Sequence, residues 1–385
     1  MISKNDPDRR RAVLRKLGGN EADIAELLVY NENRFDVARL PPPPVLPLPD
    51  EPHVATWRRY AAEAGETAWD YLRARLPQLR IPVRAGVSTT ESYGDVIRRG
   101  GAFDAAAFGG ELSLERPGLL SLVVYGHAAG ALPVLRTAWR PDFETLTRAL
   151  AFRSEPRAIN PSVNAQFVAG IINWDRIHAY AADWSATHDP SGWREELARV
   201  AREDKWRLHD CLILVCEAPY SDVASPGGTL AATTGEWQHR SEVLRLEHEF
   251  CHYATKRLYG YMALNLLDEF ICDWAGMTAT LGRFDGGCMA LFLGLGAWPR
   301  VNPKGRVHTY RGNLSDGAFE LLCGLAVQAA EALENLTARH YDPARRTQFL
   351  LALTQLTLEN LLQADHFSSA YAWAASQLRE VPDRA

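Results

Sequence analysis

The second half of the chain carries apolar residues at the three- and four-residue spacing that is typical of helices with one buried face. This pattern predicts five helices, over about Thr233–Tyr259, Met262–Leu281, 316–337, 343–363 and 367–379. Thr233 and Glu236 have the spacing of a capping box, and Gly260 and Gly282 stand where the first two helices are expected to end. The C-terminal part is therefore predicted to be helical.

The N-terminal half mixes helical and strand-like patterns. Helical spacing predicts helices over about His53–Leu79, which Pro77 ends, and Asp142–Phe152. Residues 160–184 are too irregular to assign. Strands are predicted from β-rich or continuous apolar runs at Leu119–Tyr125, Leu132–Leu135 and Cys211–Cys216. We therefore expect an α+β protein with a mixed α/β N-terminal part and a helical C-terminal part.

Prolines mark the first boundary in the chain. Pro41 to Pro44 form an unbroken run, which Pro47 and Pro49 extend. Such a run favours an extended polyproline II spacer, with a proline-recognition ligand as the alternative. Before it, Asn20 can cap a short helix. The predicted organisation is an N-terminal arm with a Pro-rich linker over 1–49, a mixed α/β unit over 50–200, and a C-terminal unit over 201–385 that carries the candidate chemistry.

Composition narrows the classes of partner and compartment. The formal net charge of −5 argues against a nucleic acid as the main partner, because binding to phosphates needs a concentrated basic surface. No apolar run approaches the length of a membrane span, and the polar, basic N-terminus lacks the apolar core of a signal peptide. The six cysteines are scattered without CxxC spacing, which indicates buried, reduced thiols. We expect a cytoplasmic protein without a membrane partner.

The segment His248-Glu249-Phe250-Cys251-His252 lies within the first C-terminal helix and fits the HExxH pattern. Because four residues turn a helix by about 400°, both imidazoles leave the helix on one face and can share one metal ion. Glu249 points about 100° away from His248 and is expected to take a proton from a metal-bound water. The alternative is a pair of solvent-facing histidines on a charged helix.

The next helix contributes acidic residues in an apolar setting. Glu269, Asp273 and Gly276 share one face at i, i+4 and i+7. A core stripe is expected from Leu264, Leu267, Ile271 and Trp274. Carboxylates among such neighbours are costly to bury without a cation, and a metal ion would satisfy Glu269. Asp273 is expected to fix one histidine by a hydrogen bond, and Gly276 to let the helices approach. Asp268 is the rival third ligand.

HExxH followed by ExxxDxxG on the next helix resembles the gluzincin, or thermolysin-like, zinc metallopeptidases over about Glu247 to Gly276. The resemblance implies a zincin-like catalytic core with two metal-binding helices and a bound Zn²⁺. It further implies that His248, His252 and Glu269 bind the metal, and that Glu249 is the catalytic base. Asp273 is implied to accept a hydrogen bond from the ring nitrogen of a ligand histidine that does not bind the metal.

A donor for the developing oxyanion is expected in the loop Val307–Arg311, between Gly305 and Gly312. His308 and Tyr310 are the candidates there, and His340 and Tyr341 are the alternatives. Three residues near the ligands are predicted to be core side chains instead, namely Cys251, Tyr253 and Cys272.

These patterns predict a zinc-dependent metallopeptidase that cleaves a peptide or protein substrate with narrow specificity. One alternative is a metalloenzyme of another class, such as an amidase or an iron-dependent oxygenase, because two histidines and a carboxylate also suit non-haem iron. Another is a non-catalytic protein that keeps the metal for stability. The run Leu212–Val215, or the segment after it, is a candidate edge strand for an extended substrate.

Overall fold

A computed structural model describes residues 3–40, 47–65, 68–224, 233–262 and 265–378. The chain divides into two compact units, one formed by Met1–Leu48 with Ala218–Ala385, and the other by Pro49–Glu217. The sequence instead suggests a separate arm over 1–49 and a boundary near residue 200. The division differs because the N-terminal helices bury their apolar faces in the core of the C-terminal helices, and because the last strand of the sheet ends at Cys216.

The first unit begins with two helices, α1 (Pro7–Lys16) and α2 (Glu21–Tyr30). The Asn20 side chain accepts hydrogen bonds from the backbone N–H groups of Ala22 and Asp23, so the predicted cap is confirmed. Leu14 of α1 and Leu27 of α2 are fully buried in the main core of this unit. Both helices are therefore integral parts of the unit.

The described residues of the second unit form seven short α-helices. They are α3 (His53–Ala64), α4 (Ala68–Arg73), α5 (Glu91–Tyr93), α6 (Ala105–Phe108), α7 (Arg140–Leu150), α8 (Trp174–Ser185) and α9 (Trp193–Glu203). The prediction of a single helix over His53–Leu79 is wrong. Gly65 ends α3 with a φ of 55°, which favours glycine, and Pro77 begins a separate 3-10 turn.

These helices accompany a four-stranded sheet. Its strands are β1 (Ser121–Tyr125), β2 (Leu132–Thr137), β3 (Ala165–Ile172) and β4 (His209–Cys216), in the order β1-β2-β4-β3. β4 pairs with β2 in parallel and with β3 antiparallel. The prediction that Leu212–Val215 forms a sheet edge is therefore wrong, because both ladders of that strand are occupied. Its burial is confirmed.

The first unit continues after β4 with seven α-helices in the part of the chain that the structure describes. They are α10 (Thr234–Tyr259), α11 (Leu266–Leu281), α12 (Gly286–Leu293), α13 (Asp316–His340), α14 (Arg346–Leu353), α15 (Leu358–Leu361) and α16 (Ala364–Gln377). Thr233 caps α10, and Gly260 and Gly282 end α10 and α11 in the left-handed conformation, as predicted. The helix predicted over 343–363 is interrupted, because Thr357 and Asn360 form a capping box that starts α15.

α10 and α11 pack against each other at close range. A Cβ atom on Gly276 would lie 2.6 Å from the Leu244 backbone oxygen, so the prediction that Gly276 permits the approach is confirmed. Every residue of α11 from Leu266 to Thr278 is buried. The helix therefore has no solvent-exposed acidic face. Leu264, which belongs to the predicted stripe, lies outside the described residues.

The architecture is thus α+β with a helical C-terminal part, as the sequence predicts. All six cysteines are buried and none forms a disulfide, as expected. Across the described ranges, no helix is both long and apolar enough to cross a membrane.

Candidate metal centre

Two histidines of α10 and a glutamate of α11 face one another inside the first unit. His248 and His252 are one helical turn apart, and their ring centroids are separated by 4.9 Å. The Nε2 atom of His248 lies 3.4 Å from Glu269 Oε2, and the Nε2 atom of His252 lies 3.6 Å from Glu269 Oε1. The structure thus brings together the three residues that the sequence proposes as metal ligands.

The opposite nitrogen of each imidazole contacts a buried aspartate. His248 Nδ1 lies 2.7 Å from Asp273 Oδ1, and His252 Nδ1 lies 3.0 Å from Asp268 Oδ2. Because a carboxylate accepts hydrogen bonds, the neutral form of each ring carries its hydrogen on Nδ1 and directs the lone pair of Nε2 towards Glu269. Asp268, the rival third ligand, therefore lies on the ring edge that faces away from Glu269.

Asp273 also forms hydrogen bonds with two residues that the sequence does not predict to lie at the site. The Tyr220 hydroxyl donates to Asp273 Oδ1 and lies 3.0 Å from His248 Nδ1. Arg306 donates to Asp273 Oδ2 and, at 3.1 Å, to the Tyr220 hydroxyl oxygen. All of these side chains are buried. The orientation of His248 therefore depends on an aspartate that is itself fixed from two sides.

Tyr220 stands in a strained turn that follows β4. Ser221 and Asp222 have φ values of 52° and 60°, a conformation that costs a residue other than glycine about 1–3 kcal/mol. The Tyr220 N–H donates to Ser241 Oγ at 3.0 Å, and Arg245 donates to the Ala218 carbonyl at 2.8 Å. These contacts from α10 hold the turn in the conformation that places the Tyr220 hydroxyl on Asp273.

The third ligand candidate has a tyrosine beside it. Tyr310 ends the 3-10 turn Arg306–Tyr310, and its hydroxyl lies close to the Glu269 carboxylate. Burial and the charge of Glu269 raise the pKa of Tyr310 well above its ordinary value, so the phenol keeps its proton. The candidates His248, His252 and Glu269 therefore lie beside Asp273, Asp268 and Tyr310, in that order.

His308, the other candidate in that loop, does not join the site. Its side chain is exposed, its Nε2 atom lies 3.0 Å from the Asn302 carbonyl oxygen, and its ring packs on Phe319. A 3-10 turn advances about 120° per residue, so residues two apart, such as His308 and Tyr310, point in different directions. The prediction that His308 is an oxyanion donor is therefore wrong, and His308 is a surface residue.

The remaining candidates lie elsewhere in the unit. His340 is exposed at the end of α13 and packs near Phe367, while Tyr341 packs edge-on against Trp274. Tyr253 is fully buried, which confirms it as a core residue. None of these three is a partner of the ligand candidates in the contacts of the described residues.

Cys272 is a competing third donor. The ligand atoms of His248, His252 and Cys272 all lie within 4.8 Å of one another, a spacing that could hold a metal ion. However, the Cys272 sulfur lies 3.3 Å from His252 Nδ1, on the ring edge that also meets Asp268. Glu269 faces the Nε2 atoms of both histidines, so we favour the carboxylate as the third donor over the thiol.

The ionisable groups of the site shift one another strongly. Burial by itself raises the pKa of Glu269, but the bond to His248 and the nearby positive charges outweigh it and lower this pKa to about 2. Burial lowers the pKa of His252, but the adjacent aspartate outweighs it and raises this pKa to about 9. Arg306 and His248 likewise overcome burial and hold the pKa of Asp273 below its usual range. Asp268 differs, because burial outweighs the charge of His252 and raises its pKa. Positive charge therefore keeps Glu269 and Asp273 ionised.

The surplus of buried carboxylates fits a bound cation. Asp268, Glu269 and Asp273 are each no more than 5% exposed, yet in the described residues only Asp273 forms a salt bridge with a lysine or arginine. Asp268 Oδ1 has no hydrogen-bond partner in the same residues. Buried carboxylates need a compensating charge, and two imidazoles with one carboxylate are a donor set for a divalent metal such as zinc.

Glu249, the proposed base, is buried next to His248 on α10. Its position one residue further along the helix turns it about 100° from the histidine. Its role as the base stays a prediction.

Three contributors to the site lie far from the motif in sequence. Tyr220 follows Pro219 at the end of a strand. Arg306 directly precedes the loop in which an oxyanion donor is predicted. Tyr30 of α2 donates to the Tyr310 carbonyl at 2.5 Å. Arg306 could have been suspected from its position beside Gly305. Tyr30 carries no sequence signal, because its role depends on tertiary packing across 280 positions.

Residues 12–365 match a family described as a family of unknown function (DUF7005). No curated protein and no solved structure gives a significant match to the chain.

Proposed function

We propose that this chain, which belongs to the DUF7005 family, is a zinc-dependent metallopeptidase with a zincin-like catalytic core. One observation carries the proposal: the Nε2 atoms of His248 and His252 both face the Glu269 carboxylate, while a buried aspartate occupies the Nδ1 edge of each ring. In the neutral form of each ring, that arrangement directs both Nε2 lone pairs at one carboxylate, and two imidazoles with one carboxylate are the donors of a zinc site with three protein ligands.

The bound zinc would supply Lewis acidity, polarising the substrate carbonyl and acidifying a water molecule. Glu249 would accept the proton of that water and return it to the leaving nitrogen. Asp273 and Asp268 would keep the imidazoles in the tautomer that presents Nε2. The Tyr310 hydroxyl, which lies close to Glu269, would be the donor to a developing oxyanion.

We expect narrow specificity, because the chain contains much more structure than the two helices that carry the motif. The sequence candidate for backbone recognition of a substrate, β4, is paired on both sides and cannot accept a further strand. Substrate selection would therefore depend on side chains and loops around the metal site. Cleavage of an unstructured protein such as casein would contradict narrow specificity.

The decisive experiment combines metal analysis with a peptide library. Protein purified without added metal should contain about one zinc per chain, His252→Ala should lose it, and Glu249→Gln should keep it but cleave nothing in a library that the natural chain cleaves. His178→Ala is the control, because His178 lies in the second unit. Equal loss of zinc in the His252 and Glu249 variants would refute the role of Glu249 as base.

A second candidate function follows from the same donor set. Two histidines and one carboxylate also bind non-haem iron, so an iron-dependent oxygenase or another non-proteolytic metalloenzyme is the alternative. Iron in the purified protein, or full zinc occupancy without cleavage of any peptide, would favour that alternative over a peptidase.

A further inference from the structure

The N-terminal helix α2 forms hydrogen bonds at two points with the loop that carries Tyr310. The Tyr30 hydroxyl donates to the Tyr310 carbonyl oxygen at 2.5 Å, and the Glu26 carboxylate accepts from the Ser315 N–H at 2.9 Å. Glu26 and Tyr30 are four residues apart, so they lie on one face of the helix. The segment from Tyr310 to Ser315 is thus held at both ends by one face of α2.

Tyr30 also reaches the helix that carries the third ligand candidate. The backbone of Leu266, in the first turn of α11 and three residues before Glu269, lies close enough to the Tyr30 hydroxyl to affect its pKa. Burial outweighs this effect and raises the pKa of Tyr30 to about 12, so the hydroxyl keeps its proton at neutral pH and remains a donor. One hydroxyl therefore lies close to the start of α11 and donates to the Tyr310 backbone.

The position of α2 is itself fixed by buried contacts. Arg10 of α1 pairs with Glu359 at 3.2 Å, and Asn31, directly after α2, donates to the same carboxylate at 3.1 Å. Asn33 donates to the Thr354 carbonyl at 2.9 Å. Since these partners are buried, α2 forms a rigid support for Tyr30.

From these contacts we propose that Tyr30 is a positioning residue of the metal centre: it holds the Tyr310 backbone, and with it the turn Arg306–Tyr310 whose Arg306 donates to Asp273, and so keeps the Tyr310 side chain beside Glu269. The inference rests on the metal site of the proposed function but not on peptidase activity. It assigns to the N-terminal segment a direct part in metal binding, where the sequence suggests only an arm.

The test measures Co²⁺ affinity of the full chain by calorimetry, with Co²⁺ as a probe of the site. Tyr310→Phe removes an outer partner of a ligand and should weaken Co²⁺ binding about tenfold, and Tyr30→Phe should weaken it about three- to tenfold. Combining the two should be no worse than Tyr310→Phe alone, because Tyr30 acts through Tyr310. A purely structural role would instead lower the affinity again in the double variant.

Tyr259→Phe is the matched control. The Tyr259 hydroxyl lies 2.6 Å from Thr354 Oγ1 in the same unit, away from the ligand candidates, so its removal should lower the urea midpoint but leave Co²⁺ affinity unchanged. Unchanged Co²⁺ affinity in Tyr30→Phe, or an equal loss in Tyr259→Phe, would overturn the proposal.

A measurement on the natural chain tests the same coupling if Tyr30→Phe does not fold. Because coupling between sites is reciprocal, saturation with Co²⁺ should slow hydrogen exchange both in residues 306–315 and in the last turn of α2. Unaltered exchange in α2 would overturn the proposal. Co²⁺ binding with these effects but without hydrolysis would reject only the peptidase function, whereas a natural chain that binds no Co²⁺ would reject both.

Discussion

At the scale of single residues, the site is organised around the two edges of each imidazole ring. The Nδ1 edge of each histidine meets a buried aspartate, and the Nε2 edge meets Glu269. Cys272 approaches His252 on the Nδ1 edge. The edge of the imidazole ring that a side chain faces, more than its distance, therefore distinguishes the candidates for the third ligand. Substitution of each candidate can decide between them.

Glu269→Gln should lower Co²⁺ affinity by more than about a hundredfold, beyond the range for an outer partner, whereas Cys272→Ala should change it by no more than a few-fold. The reason is that Glu269 faces both Nε2 atoms. Calorimetry gives the affinities, and the absorption spectrum of the Co²⁺ form should lack a sulfur-to-cobalt band. Such a band, lost in Cys272→Ala, would instead identify the thiol as the third ligand.

Metal binding should release protons. The carboxylates beside the two histidines outweigh burial and raise the pKa of both in the metal-free chain, that of His252 to about 9, so a metal must displace protons from them. About two protons per Co²⁺ should be released at pH 7, and the apparent affinity should rise with pH up to about 9. Calorimetry in buffers of different ionisation enthalpy measures the number.

The control for proton release is Asp268→Asn. Asp268 is the main partner that raises the pKa of His252, so its neutralisation should lower this pKa and reduce the release to about one proton. Release of two protons in Asp268→Asn would show that the histidine is not held in the way that the contact at 3.0 Å suggests.

At the scale of elements, the site exists because α10 and α11 lie close enough for one carboxylate to reach two histidines of the neighbouring helix. Gly276 is the point of closest approach, with the Leu244 carbonyl directly opposite. Arg346 supports the pair from α14, since it donates to both Glu247 of α10 and the Ala275 carbonyl of α11, each at 2.8 Å.

Gly276→Ala should destabilise the chain by about 1–3 kcal/mol, because the added Cβ would lie 2.6 Å from the Leu244 oxygen and force the helices apart. It should also weaken Co²⁺ binding. Gly235→Ala, on α10, is the matched control: a Cβ there meets open space, so the same change should be neutral or stabilising by up to about 1 kcal/mol. Urea unfolding measures both, and equal effects would contradict the packing argument.

At the scale of the whole molecule, the first unit is assembled from the two ends of the chain. Helices α1 and α2 share a core with α10 to α16, and the buried pair Arg10 and Glu359 joins the ends. The N-terminal segment therefore stabilises the helices that form the metal site, in addition to the proposed contact through Tyr30.

Arg10→Met should lower the free energy of unfolding by about 3–5 kcal/mol, because it leaves the buried Glu359 carboxylate without its cation. The double variant with Glu359→Gln should recover part of this loss. Arg15→Met, which removes the solvent-exposed pair with Glu21, should leave the urea midpoint unchanged. If Arg10→Met also left the urea midpoint unchanged, the buried pair of Arg10 and Glu359 would not join the ends of the chain as described.

The sequence by itself determined the features that depend on local spacing. Thr233, Gly260 and Gly282 mark the ends of α10 and α11 because caps act within one helical turn. The two histidines share a face because residues four apart do so on any helix. Gly276 was recognisable because the absence of a side chain has a direct steric meaning.

Only the tertiary structure decided which distant groups meet. It placed Tyr220 and Arg306 on Asp273, Asp268 on the outer edge of His252, and Tyr30 on the Tyr310 backbone. It also made β4 a central strand and the N-terminal helices part of the unit that contains the candidate metal centre. Such contacts join residues tens to hundreds of positions apart, and they depend on how buried faces pack, which no local periodicity encodes.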